Sequence, residues 1–249
     1  MRVAVLNDIH GNLVALEAVL QEAAASGVDA IVVGGDVLPG PLPHESLARL
    51  SALDRPTHFL YGNGEVAVLE RLAGRRPATV PEPYQPLIDW TARQLSPDQQ
   101  RALGRWPPIV RLAIAGLGDV LFCHATRRNE NEIFTRVTPE DRLRPLFASA
   151  GASVVVCGHT HMPFDRMVAE TRVLNAGSVG MPYGHREADW LIVGPGVEFR
   201  RTPYDVGKAV ERIRASGCPD AEALFVEGIL HPPDDDVMTH AYEKAAASI

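Results

Sequence analysis

Apolar residues fall in short runs along this chain, and five of those runs stop at a residue that can hold a metal ion. The run at 2–6 leads into Asn7, Asp8, Ile9 and His10. The run at 30–33 leads into Gly34, Gly35 and Asp36. The run at 57–61 leads into Gly62 and Asn63. The run at 120–123 leads into His124, and that at 154–157 into Gly158, His159, Thr160 and His161. Runs of this length and composition read as buried strands. In open α/β sheets ligands bind beyond the carboxyl ends of the strands. The pattern therefore delivers Asp, His, Asp, Asn, His, His and His to one rim.

Between the strands the period changes to that of helices. Residues 13–25 form an alanine-rich helix closed by Gly27, which makes 2–33 a β-α-β unit with parallel strands and a right-handed crossover. Further helices are expected at 45–53 and 65–73. The proline-rich stretch 74–108 interrupts the alternation. It carries helices at 84–95 and 97–104, the second opened by Ser96 as N-cap, Pro97 at the first position and Gln99 at the third. It reads as a helical cap insertion, lying over the sheet rim or packed on one edge. Strands at 109–115 and 118–123 meet in a glycine hairpin. A helix at 139–148 and a strand at 153–157 follow. Short strands near 166–169, 172–175, 190–193 and 196–202 read as antiparallel, and helices follow at 204–215 and 219–230. From His231 onward, two prolines and three consecutive aspartates read as a solvated, loosely held tail. One domain over 1–230 with a tail at 231–249 is the expected organisation.

Composition narrows the class. A hydrophobic share of 46% over 249 residues supports a core that needs no disulfide staple. The net charge of −7 gives no general attraction to nucleic acid or to an anionic membrane, so any pull on an anionic substrate must be local. No stretch reaches the length of a transmembrane helix, and the run at 2–6 is too short for a secretory segment. Of the three cysteines, Cys123 and Cys157 end buried strands and read as reduced core residues, while Cys218 has no evident partner. A cytoplasmic protein is the expectation.

Asp8 and His10 are alternate residues at a strand end, so both side chains point to one side as a two-ligand pincer. His159 and His161 repeat the pincer with two imidazoles. Each motif alone is weak, but their joint order after apolar runs is specific. Arg127 and Arg128 follow His124 closely and suit bidentate binding of phosphate oxygens, although two neighbours rarely both face one site. Glu65 opens a helix, where it favours the dipole. Asn175, Gly177 and Ser178 read as a turn whose backbone orients a ligand histidine.

The series Asp8-x-His10, Gly35-Asp36, Gly62-Asn63, His124 and Gly158-His159-Thr160-His161 resembles the calcineurin-like metallophosphoesterase family. The loop at 175–180 resembles the Asn-Pro-Gly-Ser loop of its small bacterial and archaeal members. The resemblance implies a four-layer α-β-β-α sandwich of two mixed β-sheets flanked by helices. It implies two divalent metal ions, one held by Asp8, His10, Asp36 and His161, the other by Asp36, Asn63, His124 and His159, with Asp36 bridging. A hydroxide between the ions would attack phosphorus in line. Manganese is the first expectation, and iron, zinc, nickel or cobalt also suit these ligands.

The family motif carries a histidine after the asparagine ligand, where it protonates the leaving oxygen. Here that position is Gly64. General-acid help is worth roughly 10²–10⁴ in rate, so a phosphodiesterase, or an enzyme for esters with good leaving groups, is expected over a dedicated monoesterase. Histidine installed at 64 would then raise monoester hydrolysis, unless another acid such as His44 or His185 fills the role. A small phosphate ester is the expected substrate, with nucleic acid disfavoured by the acidic balance. A protein phosphatase, a dinucleoside polyphosphate hydrolase and a silent scaffold on the same fold are the alternatives. The strands near 166–202 or the C-terminal helices offer a homodimer face.

Overall fold

In the computed structural model of the protein, residues 1–247 are described. Strand β1 (Val3–Leu6), helix α1 (Leu13–Ala25) and strand β2 (Ala30–Gly34) form the expected unit, with β1 and β2 parallel. Helix α2 (Pro43–Ser51), strand β3 (Thr57–Leu60) and helix α3 (Asn63–Leu72) follow, then α4 (Gln85–Gln94) and α5 (Pro97–Leu103). Strands β4 (Ile109–Ile114) and β5 (Gly118–Cys123) make the hairpin, followed by α6 (Glu140–Phe147) and β6 (Val154–Cys157). The chain continues through β7 (Phe164–Val168), β8 (Thr171–Asn175), β9 (Ala188–Val193), β10 (Val197–Thr202) and α7 (Val206–Ala215). A π-helical turn at Glu222–Val226 runs into α8 (Glu227–Leu230), and α9 (Asp235–Ala246) closes the described chain.

Among the described residues the strands form two mixed five-stranded sheets, ordered β10-β9-β1-β2-β3 and β4-β5-β6-β8-β7. The short C-terminal strands pair antiparallel as β7–β8 and β9–β10, but the two hairpins join different sheets. The fold is the four-layer α-β-β-α sandwich. The alternation within each strand explains why the central strands β1, β2 and β6 are apolar throughout. Val3 and Val5 face the second sheet, where they meet Val120, Phe122, Val154 and Val156. Ala4 and Leu6 face the other way, onto Leu13, Leu16 and Val19 of α1. On the far side, Leu121, Cys123, Val155 and Cys157 pack on Leu143 and Phe147 of α6. Successive side chains point to opposite faces, and each face is covered.

Two expectations meet the structure differently. In the stretch 74–108, Ile88, Ala92, Leu95 and Leu103 join the core outside the first sheet. Helix α4 packs on α2 and α3 at the flank of the helical layer. Residues 231–247 are not a loose tail. Asp234 caps α9 by accepting from the N–H groups of Asp236 and Val237 at 2.9 and 3.1 Å. Arg136 pairs with Asp235 and Asp236, and Glu243 accepts from Thr135 and Thr138. The three aspartates that read as a solvated run are an N-cap and an acidic first turn, which complement the helix dipole. Residues 248 and 249 of that tail lie outside the described residues. No helix among the described residues is long and apolar enough to cross a membrane.

Candidate metal centre

The carboxyl ends of β1, β2, β5 and β6 and the start of α3 converge at the junction of the two sheets. The chain there is bent hard. Asp8, His10, Asp36, His159 and His161 all adopt positive φ, between 46° and 69°. Non-glycine residues visit this region rarely and at a cost, so the clustering of five at one rim marks a place where side-chain direction overrides backbone comfort.

The side chains face one another closely. His10 Nε2 lies 3.2 Å from His161 Nε2, and His161 Nε2 lies 3.4 Å from Asp8 Oδ1. His124 Nε2 lies 3.0 Å from Asn63 Oδ1 and 3.6 Å from Asp36 Oδ2. Asp36 Oδ2 is also 3.8 Å from His10 Nε2, so it reaches a histidine of each group. Asp8, His10 and His161 form one set with donor atoms within 4.8 Å of one another, and Asp8, Asp36 and His124 form another. His159 joins through its ring, 5.1 Å from that of His124.

Three imidazoles are anchored from behind. His10 Nδ1 meets the Pro39 carbonyl at 3.2 Å, His124 Nδ1 the Gly34 carbonyl at 3.0 Å, and His161 Nδ1 the Met181 carbonyl at 2.9 Å. Each contact leaves Nε2 as the atom presented to the centre, the usual way a protein sets a ligand tautomer. The loop after β8 braces this frame. Asn175 Nδ2 donates to the Gly158 carbonyl at 2.7 Å, and Ser178 Oγ donates to the Asp8 carbonyl at 2.7 Å.

The buried carboxylates and imidazoles act strongly on one another. Burial alone would raise the Asp8 carboxyl, yet His161, His124 and His10 hold it well below the usual carboxylate range. Burial and the neighbouring His124 push the His159 imidazole down to about 3. Against burial, Asp36 and Asp8 raise His124, and Asp8 raises His161. Asp8 Oδ1 and His159 Nε2 are buried without a hydrogen bond of good geometry, Asp8 Oδ1 having only the His161 Nε2 contact at 3.4 Å. Orphaned buried polar atoms are costly. A divalent cation fits this donor set of imidazole, carboxylate and amide oxygen.

Glu65 does more than complement a helix. Its fully buried carboxylate accepts from the N–H groups of Asp36 and Gly62, both at 2.7 Å, and of Leu38 at 2.9 Å. Burial and the Asp36 carboxylate push it up to about 7, while the N–H donors of Gly62 and Leu38 hold it back. Glu65 thus ties the Asp36 loop to the turn that carries Asn63. A glutamate at the third position of α3, where it reaches back to the N-cap backbone, was the sequence signal for this.

Other expected residues have partners of their own. The exposed Arg127 is bound to the Ser149 carbonyl, and Arg128 pairs with Glu132. His44 is bound to Gln99 at 2.9 Å, and His185 sits between Glu187 and Asp189. At position 64 the absence is deeper than a missing side chain. A Cβ there would fall 2.0 Å from the Leu38 carbonyl oxygen. The expectation that histidine could be installed at 64 is therefore corrected, because the backbone of the Asp36 loop occupies that space.

Comparison with known proteins identifies the family and the fold. Residues 1–194 match the calcineurin-like phosphoesterase superfamily domain. An uncharacterized protein of Methanocaldococcus jannaschii is 28% identical over 247 residues, covering 90% of this chain and 97% of that protein. A metallophosphoesterase of known structure from Sphaerobacter thermophilus is 25% identical with a TM-score of 0.72, covering 92% of this chain and 98% of its own. A hypothetical protein from Pyrococcus horikoshii shares the fold with a TM-score of 0.76 at 19% identity, over 94% and 99% of the two chains. The protein belongs to the calcineurin-like phosphoesterase superfamily.

Proposed function

We propose that this protein hydrolyses small phosphate esters, phosphodiesters in preference to monoesters, with two divalent ions held at the sheet junction. The observation that carries the proposal is the buried convergence of donor atoms from Asp8, His10, Asp36, His124 and His161, with Asp8 Oδ1 and His159 Nε2 lacking a hydrogen bond of good geometry. One ion would be held by Asp8, His10, Asp36 and His161, the other by Asp36, Asn63, His124 and His159. Asp36 would be shared, in keeping with its reach to both His10 and His124. Divalent ions supply acidified water and neutralise charge on phosphoryl oxygens.

The chain's own residues do the rest. Backbone carbonyls aim the imidazoles, and Glu65 fixes the Asp36 loop. Two carboxylates against four metal charges leave a local positive centre on a chain of net charge −7. Gly64 brings no acid to the leaving oxygen, which favours esters whose leaving group departs without one. Manganese is the ion we favour, with iron, zinc, nickel or cobalt as substitutes. The three free, buried cysteines support a reducing compartment such as the cytoplasm.

Hydrolysis of bis-p-nitrophenyl phosphate beside p-nitrophenyl phosphate tests this. The protein is stripped of metal and reloaded with manganese, nickel, cobalt or zinc in turn. We expect metal-dependent diester turnover exceeding the monoester rate. Metal binding without turnover of either compound would contradict the proposal and favour a scaffold.

A further inference from the structure

The rim of the centre is lined on the His161 side by a pair of tyrosines. The Tyr183 ring stacks on the His161 ring, with centroids 5.5 Å apart and planes 19° apart. Tyr183 lies two residues beyond Met181, whose carbonyl aims His161. Its hydroxyl meets the hydroxyl of Tyr242 at 3.2 Å. The Asp8 and Asp36 carboxylates act on the Tyr242 hydroxyl electrostatically.

Tyr242 belongs to α9, beyond the residues 1–194 that match the superfamily domain. Helix α9 is held in place from several sides. Arg136 grips Asp235 and Asp236 at its start, at 2.9 and 2.6 Å. Thr239, buried at its middle, points Oγ1 at the Met162 sulfur 3.2 Å away, directly after His161. Thr135 donates to Glu243 at 2.8 Å, next to Tyr242. The phenol is therefore carried on a braced element, as a preorganised contact requires.

Counting donors gives the pair a role. Each phenol has one O–H, and one hydrogen bond between them uses one hydrogen. The accepting phenol keeps its own O–H, and no other hydrogen bond engages either hydroxyl among the described residues. We infer that the Tyr183–Tyr242 hydroxyl pair is a substrate-positioning element of the centre, donating a hydrogen bond to an oxygen of the bound phosphate ester. The inference rests on the phosphoesterase reading above. It supplies neutral donors at the rim, while Arg127, Arg128, His44 and His185 are each engaged with other partners. It also gives α9 a function beyond packing.

The test uses the full-length, manganese-loaded protein and its Tyr242→Phe, Tyr183→Phe and double variants. Inorganic phosphate binding is read by calorimetry, and kcat and KM on bis-p-nitrophenyl phosphate are read separately. Metal content and the thermal midpoint show that each variant is folded and loaded. We expect phosphate affinity to fall and KM to rise by about three- to tenfold in each single variant, the size of one lost hydrogen bond. The double variant should be no worse than twice the weaker single, because the pair acts as a unit. Variants that bind phosphate and turn over diester like the parent overturn the inference. So does a loaded parent that binds no phosphate. Tyrosine-dependent phosphate binding without ester turnover sustains the inference while removing the phosphoesterase reading.

Discussion

Gly64 sits under the Leu38 carbonyl so closely that a Cβ at position 64 would lie 2.0 Å from its oxygen. The Gly64 N–H meanwhile donates to Asp36 Oδ1 at 2.8 Å, so the glycine also binds the carboxylate we place between the ions. Any side chain must push the Asp36 loop outward. Gly64→Ala is expected to cost at least about 1–3 kcal/mol, the usual range for overpacking, and Gly64→His more. Both should lower diester turnover, and neither should create monoesterase activity. Chemical denaturation with parallel rate measurements checks this, and a stable, faster Gly64→His protein would contradict it.

Glu65 is the second point of leverage. Glu65→Ala leaves the buried N–H groups of Asp36, Leu38 and Gly62 without an acceptor. Each unsatisfied buried donor costs about 1–3 kcal/mol, so a loss of roughly 3 kcal/mol or more is expected, with metal affinity falling alongside. Glu65→Gln retains one acceptor oxygen and should fall between. Denaturant midpoints and bound metal per chain measure both effects.

The metal-free protein should show a definite acid sensitivity. His159 is held down to about 3 in the folded chain, against 6.5 ordinarily. Between those values the unfolded state binds the extra proton, so this histidine's contribution falls as pH drops through that interval, by at most about 1.4 kcal/mol per pH unit. The stability difference between the parent and His159→Ala, measured in chelator, isolates it. That difference should shift against the parent as pH falls from 6.5. His124 and His161 are raised instead, and must lose protons to bind metal. Metal affinity should therefore rise with pH through their range, with proton release visible in calorimetry across buffers.

Ending the chain at Pro233 removes α9 and strips the partners of Arg136, Thr135 and Thr138. The shortened protein should melt several degrees lower, and protease should cut within 129–138 sooner. Unchanged melting would mean that α9 is only loosely applied.

The convergence of the candidate ligands was legible in the sequence because strands end where those residues begin. Asp8, His10, Asp36, Asn63, His124, His159 and His161 each follow an apolar run, and parallel pairing of β1 with β2 and β5 with β6 brings those ends together. The alternation that covers both faces of β1 and β5 was equally visible as unbroken apolar runs. What lay hidden depends on contacts distant in sequence. The collision at Gly64 involves Leu38, the role of Glu65 involves Asp36 and Gly62, and Tyr242 meets Tyr183 across 59 residues. The aspartates at 234–236 looked solvated because their partner, Arg136, is 99 and 100 residues away from Asp235 and Asp236.

The most direct measurement pairs metal stoichiometry with catalysis on one sample. Metal-stripped protein and its Asp36→Asn variant are titrated with manganese while bound ions and bis-p-nitrophenyl phosphate turnover are followed together. A shared Asp36 predicts two ions per parent chain, turnover that appears as the second ion binds, and loss of both in Asp36→Asn. Full activity at one ion per chain, or an Asp36→Asn variant that keeps two ions and its rate, would contradict the proposed centre.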